Sequence, residues 1–289
     1  MTTKVSRRIG FVPNPDRPQA VEIAKETALW LEGKGHGAVL LPEIASQATP
    51  GPRVEPDGLD GLDLLVSLGG DGTMLRAVGT VVGKSVPVLG VNFGRLGYLT
   101  SAEPDGLHAA LDRFLAGDYV LEHRLTVDAL VYPEGSRSPR LQASALNDVV
   151  LARPSGAHTV RLHSSIAGRH FLAHTADAMI VSTATGSTGY NLSARGPVVS
   201  PKVRCLVLTP VSPHMLFDRS LVLDCSDEVG LRVDGMSPAD LIIDGEARGQ
   251  VAVGERVVCR EGRHDALLVG FGDHSFETVL KSKFRLSDR

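Results

Sequence analysis

Short apolar runs punctuated by glycine and proline dominate the first third of the chain, and helical spacing fills the gaps between them. Residues 9–12 are apolar and end at Pro13-Asn14-Pro15, which predicts a strand and its stop. Asp16 stands three residues before Gln19, with Pro18 between them, a pattern that predicts a capping-box helix start. Ala20, Ile23, Ala24, Ala28 and Leu31 follow at helical spacing, and Gly33 and Gly35 end the run. Further strands are expected at 38–41, 62–68 and 86–91, with a helix through Met74, Leu75, Ala77 and Val78 between the last two. Residues 42–58 collect four prolines and two glycines, which predicts a loop able to cover a site. Strands alternating with helices imply an α/β N-terminal domain, a parallel sheet with helices on its faces.

The second half changes character. Runs rich in Val, Ile and Leu recur at 125–132, 143–152, 160–167, 170–174, 178–182, 205–209, 221–223, 229–233, 241–243, 251–253, 255–260 and 266–270. Their close spacing, with turn residues between, predicts a β-rich, sandwich-like C-terminal domain. The expected division is 1–122 for the α/β domain, 123–270 for the β-rich domain, and a C-terminal segment, 271–289, returning to the first.

Composition narrows the function classes. The chain has 289 residues, 43% hydrophobic, enough for a core without disulfides or metals. Its 31 glycines exceed the usual share of about 7%, and without a G-X-Y period they belong in turns or where backbone closely approaches something. Eight fall within 69–97 and three within 186–196. Thirty Lys and Arg against 33 Asp and Glu give a net charge of −3, no footprint for nucleic acid or a membrane surface. No apolar run reaches the ~18 residues of a membrane span, and the first residues lack a signal-peptide core. Cys205, Cys225 and Cys259 are odd in number and far apart, so a soluble protein of the reducing cytoplasm is expected.

Two clusters could carry chemistry. Gly69-Gly70-Asp71-Gly72-Thr73 lies between a strand and a helix. Such a loop lets backbone N–H groups approach a phosphate chain, and the helix start favours negative charge. Asp71 could accept a proton from a hydroxyl nucleophile or hold a divalent metal. The second cluster runs from Asp177 to Pro197 and is dense in hydroxyls and glycines, with Ser187 or Thr188 as a helix cap and Tyr190 able to stack on a base. Other motifs fail on context. Gly79-x3-Gly83-Lys84-Ser85 is one residue short of a Walker A loop, no G-x-G-x-x-G follows the first strand, and His170 and His174 lack the glutamate of a zinc helix. No protein-only metal site is expected.

The chain resembles the bacterial branch of the NAD kinase family. The resemblance rests on Gly69 to Thr73, Val88-Leu89-Gly90-Val91-Asn92 with Gly94-Arg95-Leu96-Gly97, and Leu146-Asn147-Asp148-Val149-Val150. It continues through the segment from Asp177 to Pro201, Thr209-Pro210-Val211-Ser212-Pro213-His214 and Ile243-Asp244-Gly245-Glu246. It implies transfer of the terminal phosphoryl of ATP or polyphosphate, with Mg²⁺ or another divalent cation, to the adenosine ribose 2′-hydroxyl of NAD. Asp71 would be the catalytic base, and Gly69, Gly70, Gly72 and Thr73 would bind the phosphate donor. Asn147 and Asp148 would contact adenine and ribose hydroxyls. Thr188, Tyr190 and Ser193 would line the adenosine pocket, Gly189, Asn191 and Leu192 would also bind NAD, and Asp177 would reach the nicotinamide end. Arg76, His158, Gly72 and Glu246 would also lie near the dinucleotide. The family is usually a homodimer or homotetramer in which a neighbouring subunit helps complete the NAD site. Its usual Pro and Ala in the hydroxyl segment are Ala184 and Gly189 here, and its common final Gln is Glu246. A lipid kinase sharing the glycine-aspartate loop and a non-catalytic dinucleotide sensor are the alternatives.

Overall fold

The computed structural model describes residues 6–41, 59–94, 97–272 and 275–286; the loop expected at 42–58, and Arg95, lie outside them. The chain forms two compact units, Met1–His123 with Ala266–Arg289, and Arg124–Asp265.

The first unit starts with β1 (Arg8–Pro13), α1 (Pro18–Gly33) and β2 (Gly37–Leu40). It continues through β3 (Leu64–Gly69), α2 (Asp71–Val81) and β4 (Val88–Asn92). β1 pairs in parallel with β2 and β3, and β3 with β4. Every residue of β3 and β4 is buried, as continuous apolar runs in a covered parallel sheet should be. α1 buries Ala20, Ala24, Ala28 and Leu31 along one face. Its expected capping box does not form. Arg17 is the N-cap without a side-chain hydrogen bond, and Asn14 Oδ1 instead accepts from the Asp16 N–H at 3.1 Å. Asn14 therefore shapes the turn before Pro18 starts the helix.

Ahead of the division expected after residue 122 come α3 (Leu107–Ala116) and then β5 (Val120–Arg124), which crosses it. Leu107, Ala110, Leu111 and Phe114 form the buried face of α3, an i, i+3, i+4, i+7 signal present in the sequence.

The second unit contains β6 (Val127–Tyr132), β7 (Leu141–Ala145), β8 (Asp148–Ala152), β9 (Val160–Ile166), β10 (Arg169–Ala176) and β11 (Ala178–Thr183). After α4 (Tyr190–Ser193) come β12 (Cys205–Val211), β13 (Leu221–Asp224), β14 (Val229–Asp234), β15 (Ala239–Ile243), β16 (Glu246–Val251) and β17 (Arg256–Glu261). They build two six-stranded sheets, ordered β10-β9-β14-β17-β6-β7 and β13-β12-β11-β8-β15-β16. Apolar residues of both, among them Val131, Leu162, Val181, Leu208, Leu231 and Leu241, share one core, a sandwich. The run 143–152, expected as one strand, is two: β7 lies in one sheet and β8 in the other. Leu146 and Asn147 carry the chain across.

β18 (Ala266–Gly270) closes the tally of strands. It was expected in the β-rich domain, yet it sits between β4 and β5 in the first unit's sheet, with Leu268 paired in parallel to Val88. Ala266, Leu268, Val269 and Gly270 are buried, the signature of a parallel strand covered on both faces rather than an alternating sandwich strand. α5 (Phe276–Phe284) follows in the same unit, and Ser275 caps it by accepting from the Thr278 N–H at 3.3 Å. No helix among the described residues is long and apolar enough to cross a membrane, and the three cysteines are free thiols.

One core residue should make the fold acid-sensitive. His174 is buried, its Nε2 lies 2.8 Å from Ser164 Oγ, and its Nδ1 has no partner among the described residues. Burial lowers its pKa from 6.5, so the fold favours neutral imidazole and the unfolded chain binds the extra proton. Its contribution is therefore full above the unfolded pKa of about 6.5 and is lost as pH falls below it. The urea midpoint should drop less between pH 7.5 and 5.5 in His174→Gln than in wild type; equal drops would refute this.

Candidate active site

In the first unit, three strand ends meet around the glycine-aspartate loop. The Asn14 N–H donates to Leu68 O and the Phe93 N–H to Gly69 O, both at 2.8 Å. Gly70 is the N-cap of α2, with no side chain capping it, so the first N–H groups of the helix are available to an anion. Asp71 is the first helical residue. Its Oδ2 accepts from the Tyr98 N–H and its Oδ1 from the Leu99 N–H, each at 3.2 Å. A Cβ at Gly97 would collide with the Asp71 carboxylate and the Thr100 hydroxyl, so only glycine allows this approach. Burial, then the Asp71 charge, raises the Tyr98 pKa. Thr73 is buried with its hydroxyl against Gly69; of the expected donor-binding residues it offers backbone only. Arg76 is half-buried one turn further along α2.

In the second unit, the crossing from β7 to β8 is held by one carboxylate. Asp244 accepts from the N–H groups of Leu146 at 2.8 Å, Asn147 at 2.7 Å and Asp148 at 3.1 Å, and its own N–H donates to Asp148 O at 3.0 Å. Asp244 sits at φ 49°, opening the Asp-Gly hairpin turn between β15 and β16. On the other side, Thr183 Oγ1 donates to Leu146 O at 2.6 Å and the Thr183 N–H to Asn147 O at 2.9 Å. A Cβ at Gly186 would strike the Asn147 carbonyl. The sequence signal for Asp244 is an Asp-Gly turn directly after the apolar run 241–243.

That clamp leaves two polar groups in need of a ligand. Asn147 Oδ1 is buried without a partner among the described residues. Asp148 is 5% exposed, and burial, then the neighbouring Asp244, pushes its carboxyl up to about 7. A Cβ built on Gly189 would be 3.4 Å from Asn147 Nδ2 and 3.9 Å from Asp148 Oδ2; Gly189 keeps that space open. The set suits a ligand that brings hydroxyl or amino donors.

The hydroxyl-rich segment divides by role. Tyr190 is 44% exposed and presents its ring, Ser193 is exposed, and Thr188 and Leu192 are half-buried. Asn191, expected to bind ligand, is 0% exposed. Its Nδ2 donates to Ser187 O and Pro197 O at 3.0 Å each, and its Oδ1 accepts from Thr209 Oγ1 at 2.7 Å, so it braces the turn. Ser187 does not cap α4 either; its hydroxyl bonds Val199 O and N at 3.2 and 3.0 Å. Glu246 is exposed and paired with Arg248 at 2.7 Å, which offsets the charge it adds in place of the family's Gln.

Asp177 and His158 are not beside this group. Asp177 precedes β11 and pairs with Arg153 at 2.9 Å, while Arg153 Nη1 donates to Ala157 O at 2.7 Å, next to the exposed His158. Because Ala178 pairs with Ala152 and Ser182 with Asp148, the Asp177 group and the Asn147 group occupy opposite ends of the β8–β11 pair. Arg153 carried no sequence signal beyond its place after a strand.

A helix start without a side-chain cap beside a carboxylate, and a buried amide oxygen without a partner among the described residues beside a protonatable carboxyl, are features that suit a protein that handles nucleotides. Residues 50–119 match the ATP-NAD kinase N-terminal domain and residues 146–271 the ATP-NAD kinase C-terminal domain. The NAD kinase of Heliobacterium modesticaldum is 37% identical over 282 residues, covering 96% of this chain and 98% of its own. That of Gemmatimonas aurantiaca is 40% identical over 243 residues, 83% of each chain. The fold is shared with yeast NADH kinase complexed with NADH (TM-score 0.90, 24% identity, 99% and 90% of the two chains). It is also shared with an Archaeoglobus fulgidus NAD kinase in complex with ATP (TM-score 0.73, 23% identity, 97% and 100%). The chain belongs to the NAD kinase family.

The buried Asp148 carboxyl near the Asp244 charge gives a direct test. Asp148 moves from an ordinary 3.8 to about 7 in the fold, so the folded protein holds a proton that the unfolded chain releases. The contribution is present below pH 4 and is lost as pH rises toward 7. NMR of the ligand-free protein should show a carboxyl titrating near 7 that is absent in Asp148→Asn and lower in Asp244→Asn. An unshifted value in Asp244→Asn would remove the role of the neighbouring charge.

Proposed function

We infer that this chain is an NAD kinase, transferring the terminal phosphoryl of ATP to NAD to give NADP. The observation that best supports it is the unpartnered buried Asn147 Oδ1 beside the Asp148 carboxyl, acceptors suited to the hydroxyl and amino groups of adenosine, in a chain that also carries the glycine-aspartate loop. In this reading Asp71 accepts the proton of the adenosine ribose 2′-hydroxyl as that oxygen attacks the donor's terminal phosphorus. The bond from that phosphorus to its bridging oxygen breaks, and ADP, or a polyphosphate one unit shorter, leaves. N–H groups at Gly70, Gly72 and Thr73 cradle donor phosphates, Arg76 supplies a local cation, and Tyr190 stacks on the base. A net charge of −3 offers no long-range pull on these anions, so the attraction is local.

Among the described residues no cluster of three or more His, Cys, Asp or Glu side chains is placed to hold a metal. Asp71, whose oxygens each accept one N–H and keep lone pairs free beside the helix start, is the carboxylate that fits a Mg²⁺ carried on the donor's phosphates. Such an ion would neutralise charge on the transferred group. A homodimer or homotetramer is supported by the distance of Asp177 from the Asn147 pocket along β8, since a second copy's Asp177 end could complete it. A reducing cytoplasm suits the three free thiols. The relatives do not favour the lipid-kinase or sensor alternatives.

Purified protein with NAD, Mg²⁺ and either ATP or polyphosphate should form NADP, read by a coupled dehydrogenase; no NADP while NAD binds would support the sensor instead. Asp71→Asn should lower kcat by a factor on the order of 10² to 10⁴ with NAD binding retained. The pocket predicts a second trend. NAD donors require Asp148 as an ionised acceptor, so affinity should rise roughly five- to tenfold between pH 6 and 7.5, as Asp148 passes its pKa of about 7. Calorimetry should show this rise in wild type and a flat response in Asp148→Asn.

A further inference from the structure

We propose that the C-terminal helix α5 is a positioning element for Asp71, acting through Tyr98; this rests on Asp71 being the catalytic base. The Asp71 carboxylate is oriented by two backbone N–H groups, those of Tyr98 and Leu99. The far side of that segment is secured to β4, because the N–H groups of Ser101 and Ala102 both donate to Gly90 O, at 2.9 and 3.2 Å. Its near side is gripped by side chain. The Tyr98 ring lies 6.4 Å from the Phe276 ring, tilted by 41°, and Lys283 Nζ stands 5.3 Å from the Tyr98 centroid.

Phe276 and Lys283 are seven residues apart on α5, with Val279, its buried residue, between them. The three make one i, i+3, i+7 stripe. The helix therefore presses a single face on the residue whose N–H sets one oxygen of the base. Neither Phe276 nor Lys283 needs to touch a substrate for this effect. Sub-ångström drift of a proton acceptor is enough to slow an in-line transfer.

The test uses the full-length enzyme with Phe276→Ala, Lys283→Ala and the double variant, each first shown to melt as wild type does. The expected result is a kcat lower by about threefold to tenfold, with KM for NAD and for the phosphate donor within about twofold. Phe276→Tyr and Lys283→Arg, which keep the ring and the cation over the ring, should restore kcat. Adding the alanine changes to Asp71→Asn should produce no further loss, because the base they position is gone. An unchanged kcat in the double variant, or an equal loss in the Asp71→Asn background, would overturn the positioning role. Full turnover in Asp71→Asn alone would instead overturn the base assignment on which it stands.

Discussion

A chain that leaves one sheet for another strips its peptide groups of ladder partners, and buried peptide groups must find others. Here that requirement falls on Leu146, Asn147 and Asp148, where β7 ends and β8 begins. Three N–H groups converge on Asp244, and Thr183 takes up the two carbonyls of Leu146 and Asn147. Hydrogen bonds to a charged group contribute about 1.5–3 kcal/mol each, and an orphaned buried donor costs a comparable amount. The clamp thus decides where the backbone lies, and through it where Asn147 and Asp148 point. Burial is the main reason Asp148 holds its proton to about 7, and the carboxylate that fixes its backbone adds a second negative charge nearby.

The same device serves a different end in the first unit. Asp244 Oδ1 receives two N–H groups and Oδ2 one, so much of its acceptor capacity is committed to the backbone. Asp71 receives one N–H on each oxygen. With about four acceptor sites per carboxylate, it keeps lone pairs open on both oxygens. One aspartate is an anchor and the other is oriented but free to accept a proton. The glycine-rich loop contributes by absence of side chains: the approach of Gly97 to Asp71 leaves no room for a Cβ.

Much of this was legible in the sequence because it depends on local pattern. Apolar runs bounded by glycine and proline mark β1, β3 and β4, and the hydroxyl-rich segment contains Gly189, whose Cβ position lies 3.4 Å from Asn147 Nδ2. What escaped depends on partners far along the chain. The run 143–152 has no local mark of its switch between sheets, because the clamping Asp244 lies 96 to 98 residues away. The run 266–270 reads like any other short strand, and only its pairing with β4 gives it to the first unit. Asn191 is a ligand group only by the resemblance; Thr209 on β12 and the Ser187 and Pro197 carbonyls hold it in the interior. α3 is the exception, since its periodicity was complete in the sequence.

The geometry of β8 and β11 constrains any ligand that reaches both polar groups of the second unit. β8 runs Asp148–Ala152, and four strand steps of about 3.4 Å span roughly 13 Å. The antiparallel pairing with β11 places Thr183 and Gly186 at the Asp148 end and Asp177 at the other. Both strands are central in their sheet and buried along most of their length, so the backbone span between the two ends is fixed. A compact mononucleotide meets one end only. A ligand that engages Asn147 and the Arg153–Asp177 pair of one chain must therefore be extended, as a dinucleotide is.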